Sequence, residues 1–353
     1  MGNVIKSIFV ILSVMFMGCS NSSSETDLFR KKINLKHHLL IDSLADPCVI
    51  EVSDTLLFLS NYKTQPLIEV YGISGKVKGK FVEIGKEQLQ IVGTGDIQSF
   101  ENGEKIVIND LFSKKLLVFN QKEFLQNNLS NGKVVYVEND KTEGFDKLML
   151  TKNHIIAESR SPNGRLILMD TGGTTKGYFL SYPRKELVNT KLDQYSNAAL
   201  YGSALVYNQK AEKMALATYC AGILNIVAVG ENSLDSLWSY SEFFPSGVDL
   251  MLMGENLVVV HNKDALHGYL DIAASDKFVY ALYSGKKINE DGYYYSSTIR
   301  VFSWSADSFF EFILDEPIKR LTVSSDDRYI YGISSSKAGS AVVSYNIENF
   351  YAK

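Results

Sequence analysis

The stretch that decides the fold is residues 48–84, CVIEVSDTLLFLSNYKTQPLIEVYGISGKVKGKFVEI. It holds four short runs rich in β-branched and aromatic residues: Cys48–Val52, Thr55–Ser60, Leu67–Tyr71 and Gly79–Ile84. Polar breaks such as Ser53-Asp54 and Gly72–Gly75 separate them. Runs of this length and composition, punctuated by Ser, Asn, Asp and Gly, read as β-strands joined by hairpin turns. Working outward, the second run recurs as Lys105–Asn109, His154–Glu158, Lys213–Ala217, Lys277–Leu282 and Arg328–Ile333, with starts 50, 49, 59, 64 and 51 residues apart. Each recurrence is followed by a partner run: Leu116–Phe119, Leu166–Met169, Leu224–Val227, Ile299–Phe302 and Val342–Tyr345.

Tight polar turns precede several of these runs: Ser53-Asp54, Asn102-Gly103, Lys152-Asn153, Ser275-Asp276 and Ser325-Asp326-Asp327. Asn, Asp and Gly suit such positions because short hairpin turns need unusual backbone angles. Four strands per unit of about 50 residues, six times over, predict an all-β, six-bladed β-propeller with four-stranded blades. No amphipathic helix of twelve or more residues lies between the units, which argues against a βαβ fold. A ring must also join its ends, since open strand edges invite aggregation. His38–Asp42 followed by Cys48–Asp54 parallels Phe312–Asp315 followed by Ile318–Asp326. The parallel predicts an N-terminal strand, near residues 35–42, that closes the last blade beside three strands from 318–346.

The first 19 residues, MGNVIKSIFVILSVMFMGC, carry Lys6 and then an apolar run from Ile8 to Met17. That run is shorter than the roughly 20 residues a spanning helix needs and fits a signal-peptide core. Phe16-Met17-Gly18-Cys19 resembles the lipobox of bacterial lipoproteins, with Phe16 where Leu is usual. The expected division is a signal peptide over 1–18, a lipidated Cys19 and flexible tether over 19–32, and a single propeller domain over 33–353. Myristoylation is excluded because that motif needs Ser or Thr at position 6, where this chain has Lys6. Lipidation would leave Cys48 and Cys220, read either as one disulfide of an oxidising compartment or as two small buried hydrophobes.

The 353-residue chain has 36 Lys+Arg against 40 Asp+Glu, a net charge of −4 that gives no reason to expect nucleic-acid binding. Its 45% hydrophobic content excludes intrinsic disorder. The lipobox, the sixfold spacing, and unit endings such as Ile299–Trp304 and Leu321–Tyr331 together resemble the TolB-like six-bladed β-propeller lipoproteins of anaerobic gut bacteria. The resemblance implies a lipid-anchored cell-envelope protein facing the periplasm or the exterior, and it implies no settled activity.

Motifs of chemistry are sparse. His37, His38, His154, His261 and His267 form no HExxH or other local zinc pattern. The spacing of His261 and His267 around Lys263-Asp264 predicts a loop. There is no Gly-x-Ser-x-Gly elbow. Gly93-Thr94-Gly95-Asp96 lacks the third glycine and the following helix of a phosphate loop. No catalytic residue, metal site or cofactor is assigned on these grounds.

One unit departs from the pattern. Between its first and second runs lies an insert from Ser284 to Ser297, SGKKINEDGYYYSS, with three consecutive tyrosines, Tyr293, Tyr294 and Tyr295. Long loops on regular scaffolds carry recognition, and Tyr offers a flat apolar face with a polar tip. These tyrosines are the candidate ligand contacts, against the reading that they pack on a neighbouring blade. The insert should share one face with the inter-blade connections, including Lys86–Gln90 and Phe243–Gly247. The sequence predicts a non-catalytic binding or scaffold module for a carbohydrate, peptide or protein partner. The alternative is a metal-dependent hydrolase or lactonase-like enzyme with ligands from several blades converging on the central channel.

Overall fold

The computed structural model describes residues 28–29, 31–110, 112–137, 145–183, 200–253, 256–337 and 339–350. The signal-peptide stretch and Cys19 lie outside the described residues. Four antiparallel four-stranded sheets follow one another along the chain. Blade 1 is Val49–Ser53, Leu56–Ser60, Ile68–Gly72 and Val77–Phe81; blade 2 is Thr94–Phe100, Lys105–Asp110, Lys115–Asn120 and Lys133–Tyr136. Blade 3 is Phe145–Leu150, Ile155–Ser159, Leu166–Met169 and Thr175–Phe179; blade 4 is Ser203–Asn208, Lys213–Thr218, Ile223–Val229 and Leu234–Ser241. A hairpin, Val248–Met253 with Asn256–His261, follows and accounts for the widest repeat spacing.

Blades 5 and 6 form one eight-stranded sheet because a single strand, Phe309–Val323, serves both. Its first part is the outer strand of blade 5, after Tyr269–Ala274, Phe278–Tyr283 and Ser296–Ser303. Its second part is the inner strand of blade 6, which continues through Tyr329–Ser336 and Gly339–Asn346. The fourth strand of blade 6 is His37–Leu44, antiparallel to Gly339–Asn346 with His37 opposite Tyr345 and Leu44 opposite Ser340. The N-terminal strand therefore closes the ring, and the inner strand of blade 6 lies beside that of blade 1.

The middle strands read as continuous apolar runs because both of their faces are buried against neighbouring blades. Leu56–Ser60 is buried at every residue. Its Phe58 joins a cluster with Ile106 and Phe119 of blade 2, while Leu57 and Leu59 join Ile41, Ile333 and Val342 of blade 6. The same two-sided packing fills the other four junctions. The turns behave as their composition predicts: Asp54 (φ 53), Asn102 (φ 53), Gly103 (φ 88) and Asp327 (φ 56) all adopt left-handed backbone.

The folded part begins earlier than the expected tether boundary at residue 32. Phe29 is buried between blades 4 and 5, edge-on to Tyr240 at 5.6 Å and Phe302 at 5.3 Å, with the Arg300 guanidinium 4.8 Å above its ring. Lys32–Leu35 then runs parallel to the outer strand of blade 5, with Leu35 opposite Leu314. An aromatic side chain and a strand edge both find partners there, which a polar tether has no means to do.

Candidate functional site

Each inner strand has one edge with no strand partner, turned to the central channel. Its main-chain N–H and C=O groups must find other partners. Polar side chains of adjacent blades supply them. Gln98 of blade 2 donates to Leu150 O (2.8 Å) and accepts from Leu150 N (3.1 Å) of blade 3. Ser99 N donates to Glu51 (2.9 Å), Leu321 N to Asp271 (2.9 Å), and Asn208 Nδ2 to the Ser275 and Asp276 carbonyls. Arg320 Nε donates to Cys48 O (3.0 Å), while its Nη1 donates to Leu270 O (3.2 Å) and Lys319 O (3.0 Å).

Those contacts leave a channel of about 1000 Å3. The third residue of the inner strand is charged in blades 1, 2, 3 and 5, namely Glu51, Asp96, Lys147 and Asp271. In blade 6 it is Arg320, two residues beyond Ile318, where pairing with the next strand begins. All five line the channel. Lys147 lies over the ring of Tyr219 at 5.3 Å.

The electrostatics of the ring are dominated by burial. Burial raises Glu51 to about 8 against an opposing bond from Ser99 N–H, with Asp96 and Asp271 adding to the rise. Asp96 and Asp271 are raised by burial too, and Lys147 and Arg320 respectively restrain them. At Lys147 burial pulls downward, but Tyr219, Asp96 and Asp271 outweigh it and the ammonium is held more firmly. These effects fit a low-dielectric channel in which three carboxylates repel one another.

Tyr62 lines the channel, with Phe112 beside it across Gly93. Phe112, 73% exposed, and Tyr62 flank Gly93, where an added Cβ would sit 2.7 Å from the Phe112 ring and 3.5 Å from Tyr62. A side chain at this position would push the exposed Phe112 ring aside, whereas the Tyr62 distance is ordinary contact. Tyr62 is fixed by donating its hydroxyl proton to Thr94 O.

The tyrosine insert is fastened to the connection between blades 4 and 5, through His267 N to Lys286 O (2.9 Å) and Ile288 N to Ala265 O (3.0 Å). It folds over its own lysine, whose Nζ donates to Tyr295 O (3.2 Å) and Gly292 O (3.4 Å). Tyr293 stacks on His267 at 5.3 Å, and Tyr294 and Tyr295 continue the aromatic chain at 5.2 and 4.9 Å. Tyr294 is exposed, and the other two are half-buried. The Lys86–Gln90 connection is anchored by buried Lys115, which donates to Glu87 O, Gln88 O and Gln90 O.

The histidines are dispersed. His37 pairs with Asp315 at 3.1 Å, and His154 is buried in blade 3. His261 Nε2 lies 3.8 Å from Cys220 Sγ, and burial lowers both His261 and His267. Cys48 and Cys220 are free thiols; burial raises both, Cys220 to about 11. Among the described residues no group of three or more His, Cys, Asp or Glu is placed to share a metal ion.

The five channel charges were not singled out from sequence. Their signal was a charge at one register position of successive inner strands, visible only once the units are aligned on those strands.

A family model described as TolB-like 6-blade propeller-like matches residues 26–326. Among solved structures, a Bacteroides fragilis protein classed as exported is similar at TM-score 0.53 and 12% identity, over 89% of this chain and 99% of that one. A Bacteroides vulgatus member of the DUF4221 family is similar at TM-score 0.53 and 10% identity, over 88% and 95%. U3-55K follows at TM-score 0.51 and 11% identity, over 88% and 98%. Likeness at these identities concerns the fold alone. No curated protein matches the chain.

Proposed function

Because the chain belongs to the TolB-like 6-blade propeller-like family, we propose that it is a lipid-anchored protein of the bacterial cell envelope, with a propeller that acts as a non-catalytic binding module. The ligand is a carbohydrate, peptide or protein segment taken at the channel mouth. One observation carries this reading: a ring of charged side chains inside a channel of about 1000 Å3, whose lining includes the exposed ring of Tyr62. A concave cavity in which a few polar groups converge is a usual form of a binding site. The insert supports it, since Tyr293, Tyr294 and Tyr295 form an aromatic run held against the connection leading into blade 5. The anchor is assigned to Cys19, with residues between it and Phe29 forming the tether.

Two measurements test the proposal. The protein and a variant lacking residues 286–295 are screened against glycan and peptide arrays; loss of the hits in the variant supports the reading, and unchanged binding removes the insert from it. Metabolic labelling with palmitate should mark the wild type and leave Cys19→Ser unlabelled and released from membranes. Equal labelling of both refutes lipidation at Cys19.

A further inference from the structure

We propose that the channel receives an organic cation, an ammonium or guanidinium group carried by a polyamine or by the basic side chains of a peptide. The inference rests on reading the channel as a ligand site and names what that site takes. Three acids of the inner strands, Glu51, Asp96 and Asp271, line it with two cations, Lys147 and Arg320; Glu51 keeps its proton to about pH 8, which leaves Asp96 and Asp271 as the carboxylate acceptors. The cations do not neutralise the acids by direct pairing. The Arg320 Nε and Nη1 donors are spent on the carbonyls of Cys48, Leu270 and Lys319, and Lys147 is drawn over the Tyr219 ring.

The acids in turn keep acceptor capacity. Among the described residues, the hydrogen bonds to the Asp96 and Asp271 carboxylates come from main-chain N–H groups: Ile97 N at 2.9 Å for Asp96, and Leu321 N at 2.9 Å for Asp271. A second acceptor points the same way. Asn109 lines the channel, is 2% exposed, and leaves its Oδ1 without a hydrogen-bond partner. Its Nδ2 donates to Leu148 O at 3.3 Å, which fixes the orientation of the amide. A buried orphan acceptor beside under-neutralised carboxylates calls for a donor-rich, positive guest.

The guest's shape follows from spacing and lining. The acids come from blades 1, 2 and 5, and among the described residues no three acidic or other ligating groups are placed to share one metal ion. An extended cation with several N–H donors reaches such separated acceptors, whereas a bare ion does not. In the channel lining, Tyr62 presents an exposed ring face of the kind that attracts ammonium and guanidinium groups.

Isothermal titration of the folded protein with spermidine, tetralysine and tetraarginine tests this, with Mg2+ and a neutral maltooligosaccharide for comparison. At least one organic cation should bind, and more weakly at high salt. Binding by spermidine alone points to a polyamine, and preference for the peptides points to a protein partner. Asp96→Asn should weaken binding at least about tenfold, the effect of one charge-assisted hydrogen bond, in a variant that still melts in one cooperative transition. Lys147→Met should tighten it, because a competing positive charge is removed. No binding by any of the three cations, an unaffected Asp96→Asn, or weaker binding in Lys147→Met overturns the inference. If the maltooligosaccharide binds instead and deletion of 286–295 abolishes that binding, the binding-module reading stands and the cation assignment falls.

Discussion

Replacing Ile41 with Ala tests ring closure directly. Ile41 is 9% exposed on the N-terminal strand and belongs to a cluster with Ile333 and Val342 of blade 6 and Ile50, Val52, Leu57 and Leu59 of blade 1. The substitution removes three carbons. Transfer at about 0.8 kcal/mol per methylene gives about 2.4 kcal/mol, to which a cavity contribution adds. Register shifts on both sides of Ile41 let the strand relax toward the gap, so the total should stay near the lower end of the range for buried aliphatic truncations, about 3 kcal/mol. For a domain this large that is a fall of about 6 °C in melting temperature. Leu39, two positions earlier on the same strand, is 50% exposed, and Leu39→Ala should change stability by no more than about 0.5 kcal/mol. Urea unfolding followed by tryptophan fluorescence reads both variants. If Ile41→Ala costs no more than Leu39→Ala, the strand is not seated between blades 6 and 1, and closure by the N-terminus is wrong.

Other outcomes follow from the same packing. Arg300 bridges Glu311 at 3.2 Å and Glu242 between blades 4 and 5, and it covers the ring of Tyr283 at 3.4 Å. Arg300→Met leaves Glu242 without this cation and Glu311 with Lys32 at 3.4 Å, and should destabilise by about 3 kcal/mol in urea titration, with partial recovery on adding Glu311→Gln; a loss below about 1 kcal/mol would contradict a buried pair. Glu51 in the folded chain holds its proton to about pH 8, against an ordinary value of 4.5. The folded state therefore binds the extra proton between those values, and stability should fall as pH rises from about 4.5 to 8, with Asp96 and Asp271 acting in the same sense. Thermal melts of Glu51→Gln across that range should be flatter than wild type, and parallel curves would refute the assignment. Cys220, raised to about 11 by burial, should resist alkylation at pH 8 until urea unfolds the chain; rapid labelling of the native protein would contradict its placement.

The propeller was legible because its signals are local and repeated. Hairpin turns need particular residues, and Asp54, Asn102, Gly103 and Asp327 stand where left-handed backbone is required. Closure was legible because residues 38–54 echo 312–326, including the Ser-Asp turn. The expected span near 35–42 proved to be His37–Leu44, while Lys32–Leu35 went to blade 5 in parallel pairing. Parallel pairing leaves no turn to announce it, and four residues reading KINL look the same in a tether. The channel was harder to see. Glu51 within VIEVS reads as the solvent-facing member of an alternating strand, and nothing local distinguishes solvent from an axial cavity. The tyrosines of the insert were conspicuous as a run, but their stack on His267 depends on a connection that only the fold brings alongside.

The pairing of His37 with Tyr345 has a temporal consequence. A ribosome releases the closing strand long before its partner, so that edge stays unmated while the residues between them are made. Blade 5 relies on the same early segment through Lys32–Leu35. Final assembly must therefore wait for Gly339–Asn346, and such long-range contacts form slowly. Truncation near the end of the chain should leave an aggregation-prone open crescent rather than a smaller stable disc.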